Sequence, residues 1–302
     1  MNYKNEIRFV TTNKCNSNCI FCHNEGLEKT VMEQKITPDD YGFIVETVQR
    51  CLGIDKFVLT GGEPLLDGKA IDIVKKMKNP YNKVNVITNG FLLTKYTEIA
   101  YIVDELHISL GCLNENNFNK RTRTKGMFKN VLAGIDSVIG KRATVKLNIV
   151  MVNYENKNRE HIESIIKFAK EKELGLYLIE IYPEISEYHF PFSKIAELLK
   201  KIGYTREKES GAKVLYQKTD FPDIHIVFIP CAFVDSPLVD NPESYCKANQ
   251  SIYILPNLTS QPCFEKNKRI SILKEVKDRD AEGLVKKIKI IRSKIGKNCP
   301  IL

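Results

Sequence analysis

The stretch EIRFVTTNKCNSNCIFC, residues 6–22, sets a short apolar run directly in front of Cys15, Cys19 and Cys22. The run at 7–11 predicts a buried strand, and the cysteines follow it where a loop can fold back and aim three thiols at one centre. Similar runs recur at 56–60, 84–88, 105–110, 144–152 and 176–182, with segments of helical period between them. One such segment carries Tyr41, Ile44, Val45, Val48 and Leu52 behind the capping candidate Thr37 and Pro38. Another carries Phe128, Val131, Leu132, Ile135 and Val138, so each presents one apolar stripe to a sheet.

Repeated strand–helix units predict an α/β fold, a partial (βα)6 TIM-like barrel whose reactive groups sit after the C-terminal ends of the strands. After Pro183 the rhythm changes. A helix is expected at 193–202, strands at 213–217 and 224–229, a hairpin at 252–261, and a basic helix bearing Leu284, Ile288, Ile291 and Ile295. The boundary is placed near residue 184, dividing a barrel at 1–183 from a smaller α+β domain at 184–302.

The composition excludes several classes. Hydrophobic content of 43% and charged content of 27% are ordinary for a globular chain of 302 residues. No apolar run is long enough to span a bilayer, and MNYKNEIRFV lacks a signal-peptide pattern, so the cytoplasm and no membrane partner are expected. The net charge of +9 comes from scattered lysines without an aromatic-interleaved basic stripe, which favours an anionic small substrate or a solvated surface over nucleic acid. Nine cysteines without a secretion signal read as metal ligands or reactive thiols.

Three thiolates leave one iron of a four-iron four-sulfur cluster without a protein ligand. The amino and carboxylate groups of S-adenosylmethionine can chelate that iron, placing the sulfonium where an electron breaks its bond to the 5′-carbon. A zinc site is the competing reading, although His23 adjoins Cys22 and strains a tetrahedral set. After the second predicted strand comes Thr60-Gly61-Gly62-Glu63-Pro64, where paired glycines let backbone approach a ligand and Glu63 can accept from an ammonium group. A plain turn is the alternative there.

The triplet with an aromatic before its last cysteine, the Gly-Gly-Glu-Pro turn, Thr88-Asn89-Gly90 and His107-Ile108-Ser109-Leu110 together resemble the radical S-adenosylmethionine superfamily over residues 6–182. Within it the chain most resembles the GTP 3′,8-cyclases of molybdenum cofactor biosynthesis. The likeness runs through Cys22-His23-Asn24-Glu25-Gly26, 130–135, 145–148, Phe168-Ala169-Lys170 and Ile179-Glu180. The resemblance implies that Gly62 and Glu63 meet the methionine amine and that Gly61, Thr88, Asn89, Ser109 and Asn148 belong to the cofactor pocket. It also implies that Arg8 contacts a nucleotide, with Lys146 a further substrate contact, and that an external donor supplies electrons. The ordinary readings are strand ends for Thr88 and Ser109, a core hydrogen bond for Asn148 and a salt bridge for Arg8.

Cys231, Cys246, Cys263 and Cys299 are the complement for a second four-iron cluster, with zinc or buried thiols as alternatives. The stretch 246–263 looks like the SPASM/twitch-type auxiliary-cluster segment shared by the cyclases and the peptide-modifying enzymes of the superfamily. Against the cyclases, Asn249, Ser251 and Tyr253 stand where a second cysteine and two triphosphate-gripping arginines are expected, and Asp67 stands where a basic residue is usual. A serine and a tyrosine do not replace two bidentate donors, so GTP is disfavoured within a nucleotide-like substrate class, and a ribosomal peptide is the alternative. Cys51 reads as a small core residue, and Cys112 as either a buried thiol or a hydrogen-atom donor to a substrate radical.

Overall fold

The computed structural model describes residues 5–22, 35–66, 68–153, 158–181, 188–210, 213–227, 251–261 and 269–295. Six strands alternate with helices: β1 Glu6–Val10, α1 Pro38–Leu52, β2 Lys56–Thr60, α2 Ala70–Met77, β3 Lys83–Thr88, α3 Ile99–Ile102, β4 Glu105–Ser109, α4 Glu115–Thr122, α5 Met127–Val138, β5 Thr144–Met151, α6 Asn158–Glu171 and β6 Gly175–Glu180. The remainder comprises α7 Phe192–Lys201, β7 Thr205–Ser210, β8 Lys213–Gln217, β9 Ile224–Val227, β10 Ile252–Ile254, β11 Thr259–Gln261, β12 Ile270–Ser271, α8 Leu273–Lys277 and α9 Ala281–Lys294. The six expected barrel strands are all present, each within two residues of its expected bounds where those residues are described.

All twelve strands join one sheet in the order β12-β11-β10-β1-β2-β3-β4-β5-β6-β9-β8-β7. Strand β10 pairs parallel to β1 and β9 parallel to β6, so the parallel run extends beyond the six units at both edges. Antiparallel strands then cap each edge: β11 and β12 beyond β10, β8 and β7 beyond β9. Residue 184 lies outside the described residues, and the strands that follow it are hydrogen-bonded onto both sides of the barrel. The barrel is not closed among the described residues.

The alternating strands bury one face against the helices. Ile7 and Phe9 of β1 are fully buried; the Phe9 ring meets Tyr41 of α1 edge-on at 5.3 Å and stacks on Phe57 of β2 at 6.3 Å. Helix α1 starts where the sequence places it, with Thr37 as N-cap, Pro38 in the first turn and Gly53 in the left-handed conformation as C-cap. Its buried stripe is Tyr41, Ile44, Val45 and Val48. Cys51 corrects the core expectation: it is exposed, because the last turn directs Leu52 rather than its neighbour toward the core.

Asp40 links this helix to the chain's other end. Its carboxylate accepts from the backbone of Thr37 to complete a capping box, and it pairs with Lys277 at 2.6 Å and Arg279 at 3.0 Å. Burial works to raise the Asp40 pKa, but the Lys277 ammonium and the Thr37 amide outweigh it and hold the carboxyl below its ordinary 3.8. A depressed carboxyl stabilises the fold above the unfolded value, and that contribution fades as pH falls through the folded one. Asp40→Ala is therefore expected to lose about 2 kcal/mol in urea unfolding at pH 7. The gap from wild type should narrow below pH 3.8.

Candidate active site

The cysteine loop and the glycine turn are built against each other. The β1–β2 pairing continues past the strands, with Thr11 N–H donating to Thr60 O, Gly62 N–H to Thr12 O at 2.8 Å and Glu63 N–H to Lys14 O at 2.9 Å. A side chain at 62 would put its Cβ 2.1 Å from Lys14 O, and one at 61, where φ is +152°, would meet Thr12 O at 2.8 Å. The sequence suggested that these glycines admit a ligand. Their first requirement is internal, since the segment leading into Cys15 lies where their side chains would be.

Glu63 faces inward from the same turn and is 1% exposed. Its carboxylate accepts from Thr88 Oγ1 at 2.7 Å, Asn89 N–H at 2.7 Å and Leu65 N–H at 3.0 Å. Burial pushes its pKa up, against these three donors. Thr88 in turn accepts from Gly90 N–H, and Asn89 Nδ2 donates to Asn16 Oδ1 at 2.7 Å beside the Cys15 sulfur. Thus Glu63, Thr88 and Asn89 tie the ends of β2 and β3 to the cysteine loop, and Ser109 stands half-buried at the end of β4.

The far side of the loop rests on α4. Ser17 Oγ and Asn18 N–H donate to Thr122 O, and Ile20 N–H donates to Arg121 O at 2.9 Å. Arg121 is 4% exposed. Its guanidinium donates to Gly111 O and to Val150 O, and lies over the Phe21 ring at 5.8 Å. Burial, then the nearby guanidinium, lowers the pKa of neighbouring His161 to about 4. Sequence reasoning missed this arginine, because nothing in the polar run of α4 marks it as the buried one.

Cys15 and Cys22 are exposed and Cys19 is half-buried. Burial is the main cause that raises Cys15 and pushes Cys19 up to about 11, and each is also raised by the charge of Cys22 nearby. Without a positive centre beside them these thiols stay protonated, and only a cation at the sulfurs would stabilise their thiolates. Among the described residues no three His, Cys, Asp or Glu side chains converge as a single metal ion requires. A multi-iron cluster takes each thiolate on a separate iron and so does not require that convergence.

The inner face of the sheet, away from the helices, is polar. Glu105 accepts from Lys146 Nζ, from His107 Nε2 at 2.9 Å and from Asn85 Nδ2 at 3.0 Å. Burial opposes its charge, yet His107 and Lys146 bring its pKa down to about 2. Asn148 Oδ1 lies 3.1 Å from His107 Nδ1, so its core partner is real. Arg8 pairs with Glu6 at 3.2 Å, which also accepts from Ser251 Oγ at 2.6 Å, while Tyr253 lies 5.8 Å from the guanidinium. The residues at the two expected arginine positions therefore contact the Glu6–Arg8 pair. Cys112 is 2% exposed in the core, its thiol toward Asn114 O. Cys231, Cys246, Cys263, Cys299, Asp67 and Asn249 lie outside the described residues.

The sequence profile described as the Radical SAM superfamily matches residues 9–169, more than half of the 302-residue chain. A protein of Pyrobaculum aerophilum named Probable GTP 3′,8-cyclase is 26% identical over 93% of this chain and 90% of its own length. One of the same name from Methanocella arvoryzae is 28% identical over 92% and 87%. Among solved structures, Streptococcus suis SuiB bound to precursor peptide SuiA superposes with a TM-score of 0.65 at 14% identity, over 94% of this chain and 66% of SuiB. The structure of native anSMEcpe with bound AdoMet gives 0.57 at 12% identity, over 92% and 81%. At these identities the likeness is one of fold.

Gly62→Ala tests the join between turn and loop. The added methyl should push Lys14 aside, leaving far-UV circular dichroism intact while iron and sulfide bound per chain after anaerobic reconstitution fall by at least half. Full loading would show that the loop does not depend on this contact.

Proposed function

Because the chain belongs to the radical SAM superfamily, we propose that residues 15–22 and 61–63 hold a four-iron four-sulfur cluster and S-adenosylmethionine for hydrogen abstraction from a nucleotide-like substrate. The observation that carries this is the pair of hydrogen bonds from the Gly62 and Glu63 N–H groups to Thr12 O and Lys14 O, which joins the cysteine loop to the glycine turn. When bound, the cluster supplies the electron that cleaves the sulfonium to give the 5′-deoxyadenosyl radical.

The chain's own residues would do the rest. Cys15, Cys19 and Cys22 would ligate three irons, and the turn at Gly61, Gly62 and Glu63 would receive the methionine amine. Thr88 and Asn89 fix the Glu63 carboxylate, while Ser109 and Asn148 border the pocket from β4 and β5. Arg8 and Lys146 would meet the substrate from the inner face, each already beside a carboxylate. Cys231, Cys246, Cys263 and Cys299 are proposed to hold a second cluster, and the cytoplasm with an external electron donor is the proposed setting. No described helix is long and apolar enough to cross a membrane.

A second reading, a peptide-modifying enzyme, is favoured by one observation. Ser251 and Tyr253 replace two cations, and Arg8 is balanced by Glu6, so the described inner face suits less negative charge than a triphosphate carries. Anaerobic, reduced protein should form 5′-deoxyadenosine from S-adenosylmethionine without substrate, and Cys19→Ala should abolish it. Acceleration by GTP would support a cyclase, acceleration by another nucleotide the broader class, and acceleration only by a peptide encoded nearby the second reading. Absence of all 5′-deoxyadenosine would refute the proposal.

A further inference from the structure

The surface beside the cysteine loop is cationic. Between residues 114 and 130 the sequence sets Lys120, Arg121, Arg123, Lys125 and Lys129 against the single carboxylate of Glu115, and the loop at 11–22 adds Lys14 and no acid. Arg121 is buried, whereas Lys14, Lys120, Arg123, Lys125 and Lys129 are exposed. Backbone bonds fix where these charges stand. Asn18 N–H and Ser17 Oγ each donate to Thr122 O at 3.1 Å, and Ile20 N–H donates to Arg121 O at 2.9 Å, so Lys120 and Arg123 flank the residues to which the loop is fastened. Arg123 ends α4 in the left-handed conformation, and the chain passes through Lys125 into the start of α5.

Helix electrostatics explain part of this charge and leave the rest. Lys120 lies in the last turn of α4, where a cation meets the negative end of the helix. Lys129 lies in the first turn of α5 and Lys125 just ahead of it, at the positive end, where a cation is unfavourable and no acidic residue of that turn offsets it. Local pairing does not explain it either, because among the described residues none of the five exposed cations belongs to an ion pair. The charge also stands where an electron has to enter. Cys15 and Cys22 are exposed on the same loop, and an electron passes between proteins only across a short gap, so a donor serving a cluster there must dock against the loop's surroundings.

We propose that Lys120, Arg123 and Lys125, with Lys14 of the loop itself, form the docking surface for the electron donor, a small acidic protein carrying a one-electron flavin or iron–sulfur centre. Opposite charge steers the donor's acidic face onto the rim of the loop. One electron then leaves the donor's centre, which is oxidised, and reduces the cluster. This rests on the assignment of a cluster to Cys15, Cys19 and Cys22.

The test is calorimetric binding of an acidic flavodoxin, and in a second arm an acidic ferredoxin, to anaerobically reconstituted full-length protein without S-adenosylmethionine. At least one should bind wild type, with a Kd that weakens steeply as salt rises from about 0.05 to 0.5 M. Arg123→Glu combined with Lys125→Glu should weaken that Kd about tenfold or more. The same reversals at Lys56 and Lys83, exposed at the first residues of β2 and β3 and so at the opposite end of the sheet, should leave it unchanged. Reduction of the cluster by dithionite, which needs no docking, should keep the wild-type rate in both double variants, while reduction by the protein donor should slow in the first alone. Arg123→Gln with Lys125→Gln makes the same comparison if the reversed variant does not fold. Equal weakening by both double variants, unchanged binding in the first, slowed dithionite reduction in the first, or binding of transfer RNA with neither protein donor bound would overturn the docking surface and leave the enzyme class standing. Wild type that holds no iron or sulfide after reconstitution would instead overturn the cluster assignment.

Discussion

The site depends on the absence of two β-carbons. Parallel pairing between β1 and β2 holds Thr11 against Thr60, and the chain then continues in contact through Gly61 and Gly62, where any side chain would strike Thr12 or Lys14. Backbone atoms this close leave the entry to Cys15 no freedom to swing. The loop is also fastened from the opposite side by Thr122 and Arg121 of α4, so three sulfurs on a coil inherit the stiffness of two strands and a helix. A redox centre bound on such a loop would change charge with little rearrangement of its ligands, which is what preorganisation contributes to radical chemistry.

Much of this architecture was legible in the sequence. Short apolar runs and period-3.6 stripes locate the six barrel strands and the buried faces of α1 and α5, because tertiary burial and local pattern agree there. Thr37 and Pro38 read correctly since caps are set by local backbone chemistry. Cys51 misled because a helix end turns its final residues by geometry that hydrophobicity does not encode. Arg121 and the Glu105–His107–Asn148 chain were unreadable for another reason. Arg121 reaches Gly111 ten residues away and His107 reaches Asn148 41 residues away, and a charged residue's burial is decided by which strands come to lie side by side.

Pairing of the C-terminal strands was the other feature beyond sequence pattern. Short runs at 224–229 and 252–261 announce strands, yet nothing local says that β9 will join β6 in parallel and that β10 will join β1. Partner choice is a long-range outcome, set by which exposed edge remains once the six βα units have formed.

That open barrel explains why its inner face bears charge. A closed eight-stranded barrel fills itself with layers of branched apolar side chains. Here the parallel run ends at β9 and β10 without their pairing among the described residues, and each edge is capped by antiparallel strands instead. An interior that is not closed on itself can keep Glu6, Arg8, Glu105 and Lys146, provided each cation finds a carboxylate. The pairing has a consequence for recognition. Cations already matched by carboxylates offer directional hydrogen bonds more than net positive potential, so such a wall discriminates by the placement of donors and acceptors on its ligand. Selectivity of this kind is sensitive to a single amide's orientation in a way that a simple cationic pocket is not.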